Sequence, residues 1–261
     1  MANFANAQRC SEVGTVLLVL PWSPDNQGGV TNVVKNLMGN WPSDTSTRPV
    51  LAIDNWASPR AVEAHDGVNF RFSALGPPTF PNLLKSFVAV PIRLFRTRAL
   101  MRQYNVHAVN FHYPGLSAFV TSLTRKLGFY RGNLILSFHG SDVRPPSNWL
   151  ERLLRPKVLG MADAIVACSC SLADRLSNTL GVPRERIQVI VNGVDTSIFR
   201  PDAPRPVSWQ TELPSAYLVS IGAFFPLKAQ AVLIQAYSRL LADRPQLHLC
   251  LAGADGPELS S

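Results

Sequence analysis

The sequence has 261 residues, of which 46% are hydrophobic and 16% charged, and this composition excludes a disordered chain. Its net charge of +8 suits anionic partners such as nucleotide phosphates or acidic lipid headgroups. Nucleic acid is the partner that we expect least, because the sequence contains no aromatic-interleaved RNA motif, zinc finger or helix-turn-helix pattern.

Two further features bear on the compartment. No apolar stretch approaches the roughly 18 residues of a membrane-spanning helix, and residues 16–20 are interpreted as a buried strand, not as a signal peptide. The four cysteines, Cys10, Cys168, Cys170 and Cys250, are too few for a disulfide framework in a chain of this length. We therefore expect reduced thiols in a cytosolic protein.

Segments of strand length alternate with longer helical patterns. The predicted strands are residues 14–20, 49–53, 68–72, 107–111, 134–138, 164–167 and 187–190. The helices predicted between them include residues 30–40, 115–127 and 171–180. The strand segments are rich in Val, Ile and Leu with little polar alternation, which is typical of strands buried on both faces. The pattern predicts an α/β fold with a doubly wound, parallel sheet.

A change in composition follows Phe199. Residues 200–214 contain four prolines and few large aliphatic residues, and they are interpreted as a linker. A strand, a helix and a strand are then predicted at 217–221, 229–241 and 247–251. We expect a first Rossmann-like domain at 1–200, a linker at 201–214, and the start of a second, incomplete domain at 215–261.

Glycines follow several of the predicted strands. Gly28 and Gly29 precede the first helix, Gly222 begins a segment that ends in Lys228, and Gly253 follows the last strand. Glycine allows close approach of the backbone to a ligand, and a helix N-terminus offers free N–H groups to an anion. The alternatives are a tight turn with positive φ for the glycine pair and a solvated helix-start residue for Lys228. The GxGxxG pattern is absent, which argues against a nicotinamide site.

Polar residues follow the strand at 134–138. The ligand crevice of an open α/β sheet lies at the carboxyl ends of its strands, so His139 and Asp142 are placed to offer an imidazole and a carboxylate to a sugar hydroxyl. A capped turn without a ligand is the alternative. His107 and His112 are interpreted as satisfied surface or cleft residues. No Asp-x-Asp or HExxH pattern occurs, so no metal site is expected.

Taken together and in this order, these segments resemble the retaining glycosyltransferase family 4 (group 1), whose members have the GT-B fold. The resemblance covers nearly the whole chain and is most specific over residues 162–201 and over the segment that ends in AGADGP. It implies two Rossmann-like domains facing each other across a cleft, with the nucleotide-sugar donor mainly on the C-terminal domain and the acceptor mainly on the N-terminal one.

The same resemblance implies roles for individual residues. His139 and Lys228 would be catalytic, the first in contact with the transferred sugar and the second with the pyrophosphate, and Asp142 would belong to the acceptor side. The donor site would be formed by Gly28, Gly29, Asn192, Gly193, Asp195, Gly222, Lys228 and Gly253. No cofactor is implied besides the nucleotide-diphosphate-sugar substrate, and the reaction would need no metal.

Two positions depart from the family pattern. Ala223 stands where the family usually has Arg, and Ala229 stands where a glycine usually follows the lysine. Loss of the guanidinium should weaken charge stabilisation on the leaving group. The family's paired glutamates belong downstream of AGADGP, so the donor site in these residues is expected to be incomplete.

Three functional hypotheses follow. The first is transfer of a sugar from a nucleotide diphosphate to a hydroxyl of a glycan or lipid-linked acceptor. The second is an inactive fragment or acceptor-binding module of such an enzyme, and the third is a nucleotide-sugar epimerase with the same fold. Residues 81–103 combine basic and apolar residues at helical spacing, which is typical either of an interfacial helix on an anionic membrane or of a helix packed on the sheet. Pro91 predicts a kink or two shorter helices there.

Overall fold

The computed structural model describes residues 13–26, 28–54, 67–70, 72, 80–204, 214 and 216–253, and the side chains of these except residues 69 and 80–87. The chain divides into two compact units, one ending at Gly193 and the other beginning at Val194. Cys10 and residues 205–213, which form most of the predicted linker, lie outside the described residues.

The first unit is a parallel sheet with helices between its strands. Its described strands are β1 (Gly14–Leu20), β2 (Thr47–Asp54), β3 (Val68–Phe70), β4 (Val106–His112), β5 (Asn133–Phe138), β6 (Ala164–Ala167) and β7 (Ile187–Val189). Its described helices are α1 (Gly29–Gly39), α2 (Phe80–Gln103), α3 (Ala118–Lys126), α4 (Trp149–Met161) and α5 (Cys170–Leu180). A 3-10 turn, Arg184–Arg186, precedes β7.

The sheet confirms the predicted fold class. Its order is β3-β2-β1-β4-β5-β6-β7, and the neighbouring strands of the sheet pair in parallel. Because the chain moves outward from β1 in one direction and then returns to place β4 on the other side, the strand order reverses between β1 and β4. That reversal is the point at which open α/β sheets bind ligands.

Side-chain alternation along β1 explains how both faces of the sheet are covered. Leu17 and Val19 point into the larger core cluster, whereas Leu18 and Leu20 point into a smaller cluster that includes Val34 of α1. Successive residues of a strand point to opposite faces, so an uninterrupted apolar run is buried on both sides. The Val- and Leu-rich sequence of β1 is the direct cause of this double burial.

The observed elements differ from the prediction at the helix around Pro91, at the end of β3 and at helix α4. The helix around Pro91 is continuous across 24 residues, from Phe80 to Gln103, without the predicted break. Pro91 lies on the exposed side, where water can hydrate the carbonyl that loses its N–H partner. β3 ends at Phe70, before the predicted end at Phe72. Helix α4 was not predicted, because Pro156 interrupts its sequence pattern, yet Asn148 caps it by accepting from the Glu151 backbone.

The second unit begins with the predicted strand, helix and strand. It contains β8 (Tyr217–Ile221), a 3-10 turn (Pro226–Lys228), α6 (Gln230–Leu240) and β9 (His248–Ala252), with β8 and β9 paired in parallel. Among the described residues of the chain, no helix is both long enough and apolar enough to span a bilayer.

Candidate active site

The candidate site lies where the loops after β1, β4 and β5 meet at the carboxyl edge of the sheet. Trp22, after β1, and Tyr113, after β4, pack edge to face with ring centroids 5.1 Å apart. Trp22 Nε1 donates to Thr31 Oγ1 of α1 at 3.0 Å. Tyr113 has a φ of 63°, and its hydroxyl lies 2.6 Å from Ser141 Oγ in the loop after β5. These contacts tie three loops together at the point where the strand order reverses.

Two histidines meet at the ends of the adjacent strands β4 and β5. His112 Nδ1 and His139 Nε2 are 3.1 Å apart, and the two rings stack with centroids 5.3 Å apart. The register pairs His112 with Ser137, so His139, the first residue after β5, lies alongside His112. His112 is only 2% exposed, and its Nε2 has no hydrogen-bond partner among the described residues. His112 is therefore not a surface residue, and the described residues satisfy only one of its two ring nitrogens.

The pair is uncharged at neutral pH. Burial, with a smaller effect from His139, lowers the pKa of His112 to about 3. Burial also lowers the pKa of His139, against the opposing effect of the Asp142 carboxylate. Each ring then carries one proton, and one of the two N–H groups lies in the shared hydrogen bond. His139 Nδ1 is enclosed and, like His112 Nε2, has no partner in the described part of the chain.

Asp142 organises the loop that carries His139. Its carboxylate accepts from the backbone N–H of His139 at 3.0 Å and from that of Gly140 at 2.7 Å. Gly140 has a φ of 143°, a conformation that side-chain-bearing residues rarely adopt, and its carbonyl accepts from Arg175 of α5. Asp142 is 4% exposed. Both carboxylate oxygens accept hydrogen bonds from the loop, and the acceptor-side role of Asp142 stays a prediction.

A buried ion pair in α4 supports the same loop from the other side. Arg155 donates to the backbone carbonyls of Asp142 at 2.9 Å and of Arg144 at 2.8 Å. Glu151 lies 3.5 Å from Arg155 and accepts from the Ser147 backbone at 2.8 Å. Burial raises the pKa of Glu151, but the hydrogen bonds from Ser147 and the charge of Arg155 outweigh it and lower the pKa overall. Sequence reasoning missed these residues because it missed α4.

Gly28 and Gly29 lie at the N-terminus of α1. Gly28 has a φ of 176°, which any residue adopts, so the alternative of a tight turn with positive φ is wrong for it. A Cβ atom at either position would meet nothing within 4 Å. The described packing therefore does not explain either glycine. The N-cap residue is Gly28 and no side-chain cap is present among the described residues, which leaves the backbone N–H groups of this helix start available to an anion.

The ends of β8 and β9 form a compact backbone cluster in the second unit. Gly222 donates to the Ala252 carbonyl at 2.8 Å, and Gly253 packs so closely that a Cβ there would overlap the Gly222 carbonyl. A Cβ on Gly222 would lie 3.7 Å from Lys228 Cδ, so the lysine stem passes beside this turn. Lys228 ends a 3-10 turn and does not open the helix as predicted, because α6 begins at Gln230.

The residues predicted near the hinge lie on either side of the boundary between the units. Asn192, Gly193 and Asp195 are all exposed. Asp195 Oδ1 accepts from the Ser197 hydroxyl at 2.6 Å and from its backbone N–H at 2.9 Å, and these hydrogen bonds lower the pKa of Asp195. The carboxylate caps its own turn, and the donor-binding roles of all three residues stay predictions.

The chain is similar in sequence to known glycosyltransferases. The chain is 28% identical over 224 residues to a D-inositol 3-phosphate glycosyltransferase of Thermobispora bispora, covering 77% of this chain and 51% of the relative. It is 31% identical over 202 residues to a D-inositol 3-phosphate glycosyltransferase of Nocardioides sp., covering 71% of this chain and 43% of the relative. The chain thus spans about half the length of these relatives.

Solved structures show the same fold at low sequence identity. Anabaena HepE in complex with UDP and glucose has a TM-score of 0.60 at 16% identity, over 93% of this chain and 62% of that one. Sucrose-phosphate synthase from Thermosynechococcus elongatus has a TM-score of 0.59 at 16% identity, over 94% of this chain and 63% of that one. The sequence profile of Glycosyltransferase Family 4 matches residues 27–198, well over half of the chain. The chain belongs to glycosyltransferase family 4.

Proposed function

We propose that the protein transfers a hexose or related sugar from a nucleotide-diphosphate-sugar donor to a hydroxyl of a glycan or lipid-linked acceptor. The observation that carries this proposal is the buried, neutral pair of His112 and His139 at the point of strand reversal, in a chain of glycosyltransferase family 4. The relatives named for sugar transfer to D-inositol 3-phosphate support the reaction class, and the HepE complex with UDP and glucose supports the donor class.

The neutral state of His139 suits a position beside the transferred sugar. A glycosyl group that is losing its leaving group gathers positive charge near the anomeric carbon. An imidazolium at this position would repel that charge, whereas a neutral imidazole does not. Because His139 Nε2 already contacts His112, a sugar hydroxyl that binds this nitrogen must exchange with His112.

Two other features would bind the phosphate groups of the donor, one in the first unit and one in the second. The uncapped N-terminus of α1 at Gly28 and Gly29 offers backbone N–H groups and open space. Lys228 supplies a point charge beside the exposed backbone of Gly222 and Gly253. With Ala223 in place of arginine, Lys228 carries this charge without a guanidinium neighbour in the same segment.

We further propose retention of configuration and independence of metal. Retention comes from the family resemblance, and metal independence is supported by the absence of an Asp-x-Asp pattern from the sequence. The configuration of the product's anomeric proton, read by NMR immediately after transfer, distinguishes retention from inversion. Activity that survives EDTA supports the metal-independent reaction, and activity restored only by added divalent cations contradicts it.

The test of transfer itself is release of nucleoside diphosphate by the protein expressed from its complete reading frame. A panel of UDP-, GDP- and ADP-sugars is offered with glycan, inositol phosphate and lipid-linked acceptors. We expect acceptor-dependent release with one donor class. Absence of release across the panel, together with acceptor binding that persists in calorimetry, would favour the alternative of an inactive acceptor-binding module. Absence of release and of both donor and acceptor binding contradicts both hypotheses.

We propose a cytoplasmic location, peripheral at the inner face of the membrane. Free cysteines at positions 168, 170 and 250 fit a reducing compartment, and the basic, partly apolar surface of α2 fits an anionic membrane face. Fractionation of cells tests this location, since we expect the protein in the membrane pellet at low salt and in the supernatant after a high-salt wash.

A further inference from the structure

Helix α2 exposes an apolar stripe on the side opposite the core. Val88, Ile92 and Phe95 follow helical spacing and are 64%, 47% and 63% exposed. Leu94 and Met101 of the same helix are buried against the rest of the unit. The apolar residues of this helix therefore divide into a core side and a solvent side, and the solvent side is not needed for packing within the described structure.

The turn between α3 and β5 continues this stripe. Leu127 and Phe129 are exposed, and the ring of Phe129 stacks on that of Phe95 with centroids 6.4 Å apart. The Arg98 guanidinium lies 5.3 Å from the centroid of the Phe129 ring. Helix and turn thus form one continuous surface, which we call the α2 patch and define as Val88, Ile92, Phe95, Leu127 and Phe129.

The segment of sequence that contains the patch has basic residues but no acidic ones. No Asp or Glu occurs between Asp66 and Asp142. The basic residues of that interval are Arg71, Lys85, Arg93, Arg96, Arg98, Arg102, Arg125, Lys126 and Arg131. Such a segment gives the patch a positive field with no acidic residue from the segment itself to offset it.

A basic recess lies beside the turn. Its volume is about 510 Å³, and Arg125, Lys126 and Arg131 line it. Arg125 pairs with Asp163 and donates to the Met161 carbonyl, and no acidic residue is among those that line the recess. Lys126 and Arg131 are exposed. The recess therefore presents cationic side chains next to the apolar tip of the turn.

We propose that the α2 patch and its neighbouring recess bind the surface of an anionic lipid bilayer. Val88, Ile92 and Phe95 would lie at the boundary of headgroups and acyl chains, with Leu127 and Phe129 inserted beside them, while the basic side chains remain at the level of the lipid phosphates. A nucleic acid would satisfy the charges but would leave the aliphatic residues in water. The inference rests on the proposed peripheral location and is independent of sugar transfer, because vesicle binding needs neither donor nor acceptor.

Vesicle sedimentation of the whole chain tests the proposal. The probes are phosphatidylcholine vesicles with and without roughly one third phosphatidylglycerol, at low and high salt. We expect binding to the anionic vesicles alone, weakened by salt. Lys126→Gln and Arg131→Gln should each weaken partition about fivefold, since each basic residue near such a surface contributes about 1 kcal/mol. Phe95→Ser should weaken it about tenfold, because an inserted aromatic side chain is lost.

Matched controls come from α1, which packs on the smaller core cluster, on the other face of the sheet from the cluster that contains Leu100 and Met101 of α2. Leu37→Ser removes a side chain that is 40% exposed, and Lys35→Gln removes an exposed charge. Both variants should bind the vesicles as the unmodified chain does. Equal losses in the patch and control variants, equal binding to neutral and anionic vesicles, or no binding at low salt would each overturn the proposal. Because Phe95 is largely exposed, its variant should fold, and circular dichroism of each variant checks this.

Discussion

Acidification should destabilise the first unit through His112. The pKa of this ring falls from its ordinary 6.5 to about 3 because the ring is buried, with His139 adding to the effect. Below pH 6.5 the unfolded chain takes up a proton at this position, whereas the native chain does not do so until the pH approaches 3. Stability is therefore fully present above pH 6.5 and is lost as the pH falls towards 3.

The size of the loss in the free energy of unfolding follows from the uptake of one proton. A single group that is protonated only in the unfolded state changes the free energy of unfolding by about 1.4 kcal/mol per pH unit. Between pH 6.5 and pH 5 the loss attributable to His112 is therefore about 2 kcal/mol. His139, whose pKa is lowered as well, adds a loss of the same sign. Glu151 titrates at lower pH, so this window isolates the histidines.

Urea unfolding at fixed ionic strength, followed by tryptophan fluorescence, measures this loss. Trp22 packs against Tyr113 beside the histidine pair, so the signal includes the site. His112→Asn keeps an atom near the Nδ1 position but cannot titrate. We expect the variant to be less stable at pH 7 yet to lose about 2 kcal/mol less between pH 6.5 and pH 5 than the unmodified chain. Identical pH slopes for the two proteins would refute the assignment to a buried neutral His112.

Two further substitutions, each with a control variant, test the local backbone geometry. Ala229→Gly should stabilise the second unit by about 0.5–1 kcal/mol, because Ala229 has a φ of 55° that penalises a Cβ, whereas Ala236→Gly in the interior of α6 should cost about the same amount in thermal unfolding. Asp142→Asn should destabilise the first unit by about 1–3 kcal/mol in urea unfolding, because the amide nitrogen that replaces one carboxylate oxygen is a donor facing a backbone N–H group that the oxygen accepted from. Asp174→Asn removes only an exposed ion pair with Arg184 and should cost less than about 1 kcal/mol. An unchanged Ala229→Gly variant, or equal costs at positions 142 and 174, would contradict these assignments.

The sheet could be predicted because its strands are apolar on both faces. The runs at 14–20 and 164–167 match β1 and β6 at both ends. Ser169 caps α5 by accepting from the Leu172 backbone at 3.1 Å, and serine is a residue type that favours this position. Helix α4 was not predicted because Pro156 interrupts its sequence pattern. The folded chain tolerates this proline, since the helix packs on the core through Leu154 and Val158.

The pairing inside the candidate site could not be predicted from spacing alone. His112 and His139 are 27 positions apart and meet because β4 and β5 are neighbours in parallel register. The sequence indicates that each histidine lies near the end of a strand. Only the strand order shows that the two residues are adjacent. Sequence pattern also could not show that the Asp142 carboxylate turns inward, since that depends on the loop conformation at Gly140.

Turnover of the His139→Ala variant tests the central claim most directly. Release of nucleoside diphosphate is measured at saturating donor and acceptor for the unmodified protein, for His139→Ala and for Leu153→Ala, an exposed control on α4. We predict that kcat falls about a hundredfold or more for His139→Ala and is unchanged for Leu153→Ala. Full turnover by a correctly folded His139→Ala variant would contradict the placement of the transferred sugar at this histidine.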